Sequence, residues 1–191
     1  MKKTIPVLVL LVLLSLFFLP AQTANDPGLR PIIHNFSARN EQFVAGALTR
    51  AQIDLLVQAG LRAPSAGNRQ PWLFTVVQDQ ALVSQILPAA IQGNVLIVIS
   101  GALGDRRDAV ILDCGLAAQN MFIAAQALGL AARQYTNPTV IGATNNMKAQ
   151  LGIPTDHTAI IVTRFGRLQA EVDAVSSASV RASPDTKVIY R

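Results

Sequence analysis

Cysteine is almost absent from this chain of 191 residues: Cys114 is the only one, so no internal disulfide can form. It sits in a very apolar segment, where a buried and inert thiol is expected rather than a reactive one. The two histidines, His34 and His157, stand far apart with no metal-ligand spacing around them, so no metal site is expected. Aromatic residues make up only 5% of the chain, and its 16 lysines and arginines are scattered rather than clustered. Nucleic-acid binding is therefore a weak reading despite a formal charge of +5. No internal repeat and no long linker is present.

What the chain does have at its start is a targeting pattern. Lys2 and Lys3 precede an apolar run from Ile5 to Leu19, followed by Pro20-Ala21-Gln22-Thr23-Ala24. The run is short for an untilted membrane span and has the proportions of a secretory segment. Residues 1–24 are expected to be a signal peptide, cleaved near residues 21–24, or an uncleaved N-terminal anchor. No cysteine lies near the site and no arginine pair precedes the run, which argues against a lipoprotein anchor and against the twin-arginine route. Export to the periplasm or the medium is the expected location, with membrane contact only through an uncleaved segment. Loss of Lys2 and Lys3 leaves a charge of about +3 on residues 25–191, which are long enough for one domain with a real core.

Along that domain, residues 25–45 read as loop-like at first, with Pro27, Gly28 and Pro31. Thr49-Arg50-Ala51-Gln52 has the capping-box pattern, Ile53, Leu56 and Val57 continue it as a helical stripe, and Gly60 is the expected stop. Trp72–Val77 reads as a strand, Asp79 as the cap of a short helix, and Val95–Ile99 and Ala159–Thr163 as strands buried on both faces. Lys187–Tyr190 suggests a last strand. From about Asp108 to Leu130 runs the longest helix, apolar almost all round, which places it either deep in a core or in a membrane. Its four polar residues, Asp113 among them, argue against lipid, where a central Asp costs about 2.5–3.5 kcal/mol. A core helix packed on a sheet and on a second subunit fits both observations. Helices mixed with buried strands suggest an α+β fold, a sheet sandwiched between helices.

The segment Ala63-Pro64-Ser65-Ala66-Gly67-Asn68-Arg69-Gln70-Pro71-Trp72 carries the chemistry. Pro64 and Pro71 fix φ, and Gly67 allows close approach of a ligand. Ser65, Asn68 and Gln70 put three neutral hydrogen-bonding side chains in one turn. Read from these residues alone, it is either an ordinary helix-to-strand connector or a loop for a planar, polar-edged ligand. Trp72 reads as core, since it opens a buried strand.

This segment matches, without a gap, the APSxxNxQPW-type segment of the nitroreductase family of FMN enzymes. Asp113 to Met121, running on to Ala127-Leu128-Gly129-Leu130, resembles that family's central helix, and Gly152-Ile153-Pro154, the strand to Thr163 and Gly166 resemble the region before its C-terminal arm. The resemblance implies a homodimer with FMN at the subunit interface, reduced by a nicotinamide and passing electrons to a small acceptor in a ping-pong cycle. It implies cofactor binding by Ser37 and Arg39 at the ribityl and phosphate end and by Pro64, Ser65, Asn68 and Gln70 around the ring. A backbone N–H within Gln134–Asn137 would face flavin N5, and Arg181, with Lys187 as fallback, would meet the phosphate. Asn35 stands where the family has Arg, and only Gly101–Val110 occupies the place of a longer lid. No side chain stands out as catalytic. Three readings stay open: an exported FMN-dependent oxidoreductase, fed by NAD(P)H or by a partner reductase; a non-enzymatic or degenerate flavin-binding scaffold; and a dehydrogenase of a small or peptide substrate.

Overall fold

In the computed structural model the described residues are 26–173, 177 and 179–191. The targeting segment expected at residues 1–24 lies outside them. A five-stranded antiparallel sheet organises the chain: β1 (Phe43–Val44), β2 (Trp72–Val77), β3 (Val95–Ala102), β4 (Leu130–Tyr135) and β5 (His157–Leu168). The longest strand, β5, pairs with β3, with β4 and, at its far end, with β1; β2 pairs with β3 on the other side. The sheet therefore has β2 at one edge and β4 at the other.

Alternation along β3 decides the layers. Val95, Ile97 and Ile99 enter a core with α2 (Arg50–Leu61) and α4 (Arg107–Ala127). Leu96 and Val98 enter a second core on the opposite face with α3 (Gln80–Ile86), α5 (Pro138–Asn146) and α6 (Lys148–Leu151). The expected sandwich of a sheet between helices is thus present, with β3 buried on both faces. A third, smaller cluster of Phe36, Ala38, Phe43 and Ala131 closes the β1 and β4 end.

Local signals explain most element boundaries. Thr49 caps α2 by the capping box, its hydroxyl accepting from the Gln52 N–H at 3.2 Å while Gln52 Oε1 accepts from the Thr49 N–H at 2.9 Å. Asp79 caps α3 by accepting from the Ala81 and Leu82 N–H groups. Trp72 is buried and stacks on Phe74 with ring centroids 6.0 Å apart, a core role.

Three expectations are corrected. Gly60 does not stop α2, which runs on to Leu61; a Cβ at Gly60 would lie 2.2 Å from Met121 Cε, so glycine there permits close approach of α2 and α4. Residues 25–45 are not all loop, since Pro31 starts a one-turn helix α1 (Arg30–Ile33) and Asn40–Gln42 make a 3₁₀ turn. Lys187–Tyr190 form no strand with the described residues and are exposed. The long helix α4 packs on the sheet as expected, and is sealed on that face only. Cys114, Ala117, Ala118, Met121 and Ala125 are fully buried, whereas Leu112 is 64% exposed and Ile111 and Leu116 stand open beside it. The segment Gly104–Ala127 has the length and apolarity of a membrane span, yet its inner face packs on the sheet and holds buried Asp113.

Gly166 in β5 offers a direct test of this packing. A Cβ there would come 2.4 Å from Asn94 Nδ2 and 2.9 Å from Phe43 Cδ1, and Asn94 is fully buried and cannot retreat. Gly166→Ala is expected to destabilise the fold by about 1–3 kcal/mol in urea unfolding, the usual cost of overpacking. A neutral result would contradict the packing described.

Candidate functional site

The 63–72 loop joins α2 to β2, and its backbone is unusual. Gly67, Asn68 and Gln70 all take left-handed conformations, with φ of 62°, 54° and 50°. Glycine and asparagine tolerate this region; glutamine does so only at a cost of about 1–3 kcal/mol. Local hydrogen bonds hold the shape. The Asn68 N–H donates to the Ser65 carbonyl at 2.9 Å, the Gln70 N–H donates to Ser65 Oγ at 3.0 Å, and Gln70 Nε2 donates to Asn68 Oδ1 at 3.2 Å. One bond ties the loop to the core: the Ala66 N–H donates to Asp113 Oδ1 at 3.1 Å. Asp113 is 3% exposed and was read from the sequence only as a polar interruption in the helix. Pro64, Asn68 and Gln70 face solvent, and Ser65 is half-buried. A strained, internally braced turn that presents neutral donors and acceptors outward suits ligand binding better than plain connection.

The second group of predicted residues lies elsewhere. Phe36 and Ala38 are buried, so Ser37 and Arg39 alternate outward. The Ala38 N–H donates to the Ala132 carbonyl at 3.0 Å, which lays this segment along the outer edge of β4. Gln42 Oε1 accepts from the Arg39 N–H at 2.7 Å and closes the following turn. Arg39 Nε meets Glu41 Oε1 at 3.0 Å, both side chains being about two-thirds exposed, a weak pair that an anionic ligand can displace. Asn35 donates its amide to the Ile32 carbonyl at the end of α1. Arg181 and Lys187 are exposed in the C-terminal segment.

Sheet register shows how far apart the two groups stand. Trp72 pairs with Gly101 at one end of the sheet, while Ala132 pairs with Phe165 near the other end and three strand spacings away. Strand rise and spacing put the two positions roughly 25 Å apart. One chain therefore gathers Pro64, Ser65, Asn68 and Gln70 together, and Ser37 with Arg39, but does not join the two groups.

An open cleft of about 590 Å³ runs between α4 and the first residues of β5, lined by Leu103, Ile111, Leu112, Gly115, Leu116 and Thr136 among others. It is largely apolar, includes none of the seven predicted residues, and has the end of β4 on one wall. Thr136 belongs to the Gln134–Asn137 stretch, whose last residue caps α5 by accepting from the Val140 N–H at 2.9 Å. Only Leu103 to Arg106 separate β3 from α4, a link too short for a helical lid, and Leu103 of it lines the cleft.

Cys114 takes no part in this site. Burial, and then the neighbouring Asp113 charge, push its thiol up to about 12. It should resist iodoacetamide in the native protein at pH 8 and react on unfolding. The same shift means that the unfolded chain releases this proton first, so its contribution to stability is complete below pH 9 and is lost as the pH approaches about 12. Asp113→Ala leaves the Ala66 N–H without its acceptor and is expected to cost about 1–3 kcal/mol in urea unfolding, with Asp113→Asn costing less because an oxygen remains. Equal losses would place the role of Asp113 elsewhere.

Comparison with known proteins agrees with this geometry. The profile of the nitroreductase family matches residues 37–98 and 91–167. A curated protein of Archaeoglobus fulgidus, named for NADH dehydrogenase and NAD(P)H nitroreductase activity, is 32% identical over 145 residues, 70% of this chain and 81% of that one. A Desulfitobacterium hafniense nitroreductase crystallised with bound FMN superposes with a TM-score of 0.72 at 19% identity, over 87% of this chain and 98% of that one. Another FMN-bound nitroreductase, from Bacteroides fragilis, gives 0.71 at 18% identity, over 87% and 100%. With its sheet between helices, its long central helix and its matching sequence over most of the described residues, this chain belongs to the nitroreductase family.

Proposed function

We propose that the protein is an exported, homodimeric, FMN-dependent oxidoreductase that passes electrons through bound flavin to a small acceptor in a ping-pong cycle. The observation that carries this reading is the strained 65–70 turn, which holds neutral hydrogen-bonding groups toward solvent at a cost that a bound ring would offset. FMN in structures of the same fold, and the nicotinamide named for the A. fulgidus relative, support the cofactor and the donor.

The division of labour follows from the positions. Asn68 and Gln70 would pair with the polar edge of the ring, Pro64 and Ser65 would shape its pocket, and the Gln134–Asn137 backbone would approach N5. Ser37 and Arg39 would meet the phosphate, with Arg181 added from the C-terminal arm. Since one chain keeps the 63–72 loop and the Ser37–Arg39 segment apart, a two-fold dimer supplies the missing neighbour: the loop of one subunit against the β4 edge of the other. The exposed apolar face of α4, with Leu112 and Leu116, fits the axis of such a dimer. The exposed Val188, Ile189 and Tyr190 fit an arm laid on a partner. Bound FMN supplies the two-electron chemistry; the protein orients it and leaves one face open, because the link before α4 is too short to form a lid.

An exported protein meets little free NAD(P)H, so a partner reductase is the alternative donor. A second reading, a flavin-binding protein without turnover, is favoured by one observation: the Asn35 amide is spent on the Ile32 carbonyl, so no cation stands there for the phosphate. Steady-state assays with NAD(P)H, a quinone and a nitroaromatic separate the two, since turnover of any pair excludes the non-enzymatic reading.

The cofactor and the assembly are checked together. Purified protein reconstituted with FMN is expected to bind it at micromolar or tighter affinity with a perturbed flavin spectrum, and to have a dimeric mass by light scattering at tens of micromolar. Arg39→Ala is expected to weaken FMN by roughly ten- to a hundredfold, the worth of a charge-assisted bond of about 1.5–3 kcal/mol, and to change riboflavin far less. Failure to bind FMN at high micromolar concentration, or a strictly monomeric holo protein, would contradict the proposal.

A further inference from the structure

Arg164 is fully buried in the middle of the sheet. It sits on β5 between the core of α3, α5 and α6 and the small Phe36–Phe43 cluster. Its Nε donates to Asn94 Oδ1 at 2.7 Å and its Nη1 to Asn40 Oδ1 at 3.0 Å, and its guanidinium lies 3.7 Å from the centre of the Phe43 ring. Every one of these partners is neutral. Among the described residues no carboxylate forms an ion pair with Arg164, and Nη2 has at most the neutral Tyr135 hydroxyl beside it, outside good bonding geometry. Across the β4–β5 ladder its register partner is Arg133, a second cation on the same face. Burial pulls the Arg164 pKa below the ordinary arginine value, opposed by the nearby Tyr135 hydroxyl.

A buried guanidinium without an acid is costly, and a like charge opposite makes it more so. An apolar side chain would fill the volume without that cost. The direction in which Arg164 reaches gives its use. Asn40 is exposed and directly follows Arg39 in the turn that Gln42 closes, and Phe43, under the guanidinium, ends the same turn. The buried cation therefore grips both ends of the segment that carries Ser37 and Arg39.

We propose that Arg164 is a positioning residue for anion recognition: it locks the 37–42 turn from beneath through Asn40 and Phe43, and its uncompensated charge favours a dianionic phosphate over a neutral group at that turn. This rests on the reading that Ser37 and Arg39 receive the FMN phosphate. It also accounts for a phosphate site with Asn at position 35, since a buried arginine replaces part of the charge missing from the surface.

The test compares FMN with riboflavin, which lacks the phosphate, by fluorescence titration of the full-length dimer. Arg164→Met removes the charge and keeps an apolar filling; Asn40→Ala cuts the tether at the surface and leaves the core intact. Arg164→Met is expected to weaken FMN about tenfold and Asn40→Ala a few-fold, with riboflavin changed less than about twofold in both, in line with the loss of charge-assisted positioning. If both flavins weaken equally, or neither changes, Arg164 is a structural residue and the inference is overturned, while the flavin site stands. If Arg164→Met does not fold, Asn40→Ala decides by the same ratio. If the unmutated protein binds FMN no better than riboflavin, the phosphate reading itself fails and this inference with it.

Discussion

Burial of the β3–β5 ladder on both faces is the constraint from which the rest follows. Leu96, Ile97, Val98 and Ile99 on one strand and Val162 and Phe165 on the other are fully buried, so helices must cover both sides of the sheet. The centre of the molecule is thereby closed to ligands. Polar function is pushed to the sheet edges and to the loops at strand ends: the 63–72 loop where β2 begins, the 36–39 segment along β4, and the turn after β4. Asp113 is the exception that links the two zones, a buried carboxylate on the core helix that reaches out to hold the Ala66 N–H.

The same constraint keeps apart the two groups of residues on which the proposed flavin site rests. With β2 and β4 at opposite edges, the two groups of residues implied by the family resemblance stand far apart in one chain. Between them α4 exposes an apolar strip that one small domain leaves bare. Dimerisation about that strip would solve both problems at once, by burying Leu112 and Leu116 and by carrying one chain's loop to the other's β4 edge. Arg164 belongs to the same logic at smaller scale, because a cation that cannot reach the surface acts on it through Asn40 and Phe43.

Much of this was legible in the sequence. The capping box at Thr49, the Asp79 cap, the strand at Trp72–Val77 and the buried runs in β3 and β5 were all local signals, and local signals survive into the structure. What was not legible depends on long-range packing. Gly60 reads as a helix stop until Met121 is seen against it. Lys187–Tyr190 has the composition of a strand but pairs with no edge among the described residues. Arg164 lies just beyond the apolar run Ala159–Thr163, and the signal that exposes it, a charge between Thr163 and Phe165 in the middle of a strand, gains meaning only when no acid is found near it. The residues that the family resemblance groups together could be named from the sequence, but their separation across the sheet could not, since spacing in sequence says nothing of which edge a loop occupies.

The central claim, that each flavin site is assembled from two chains, is tested most directly by complementation. Arg39→Ala and Asn68→Ala chains, each weakened for FMN, are co-expressed with different tags and the mixed dimer is purified. Assembly across the interface predicts that both lesions fall in one site and leave the other intact, so the mixed dimer binds one FMN at wild-type affinity. If every site in the mixed dimer is as weak as in the parent variants, the two groups act within one chain, and the account of the site given above is wrong.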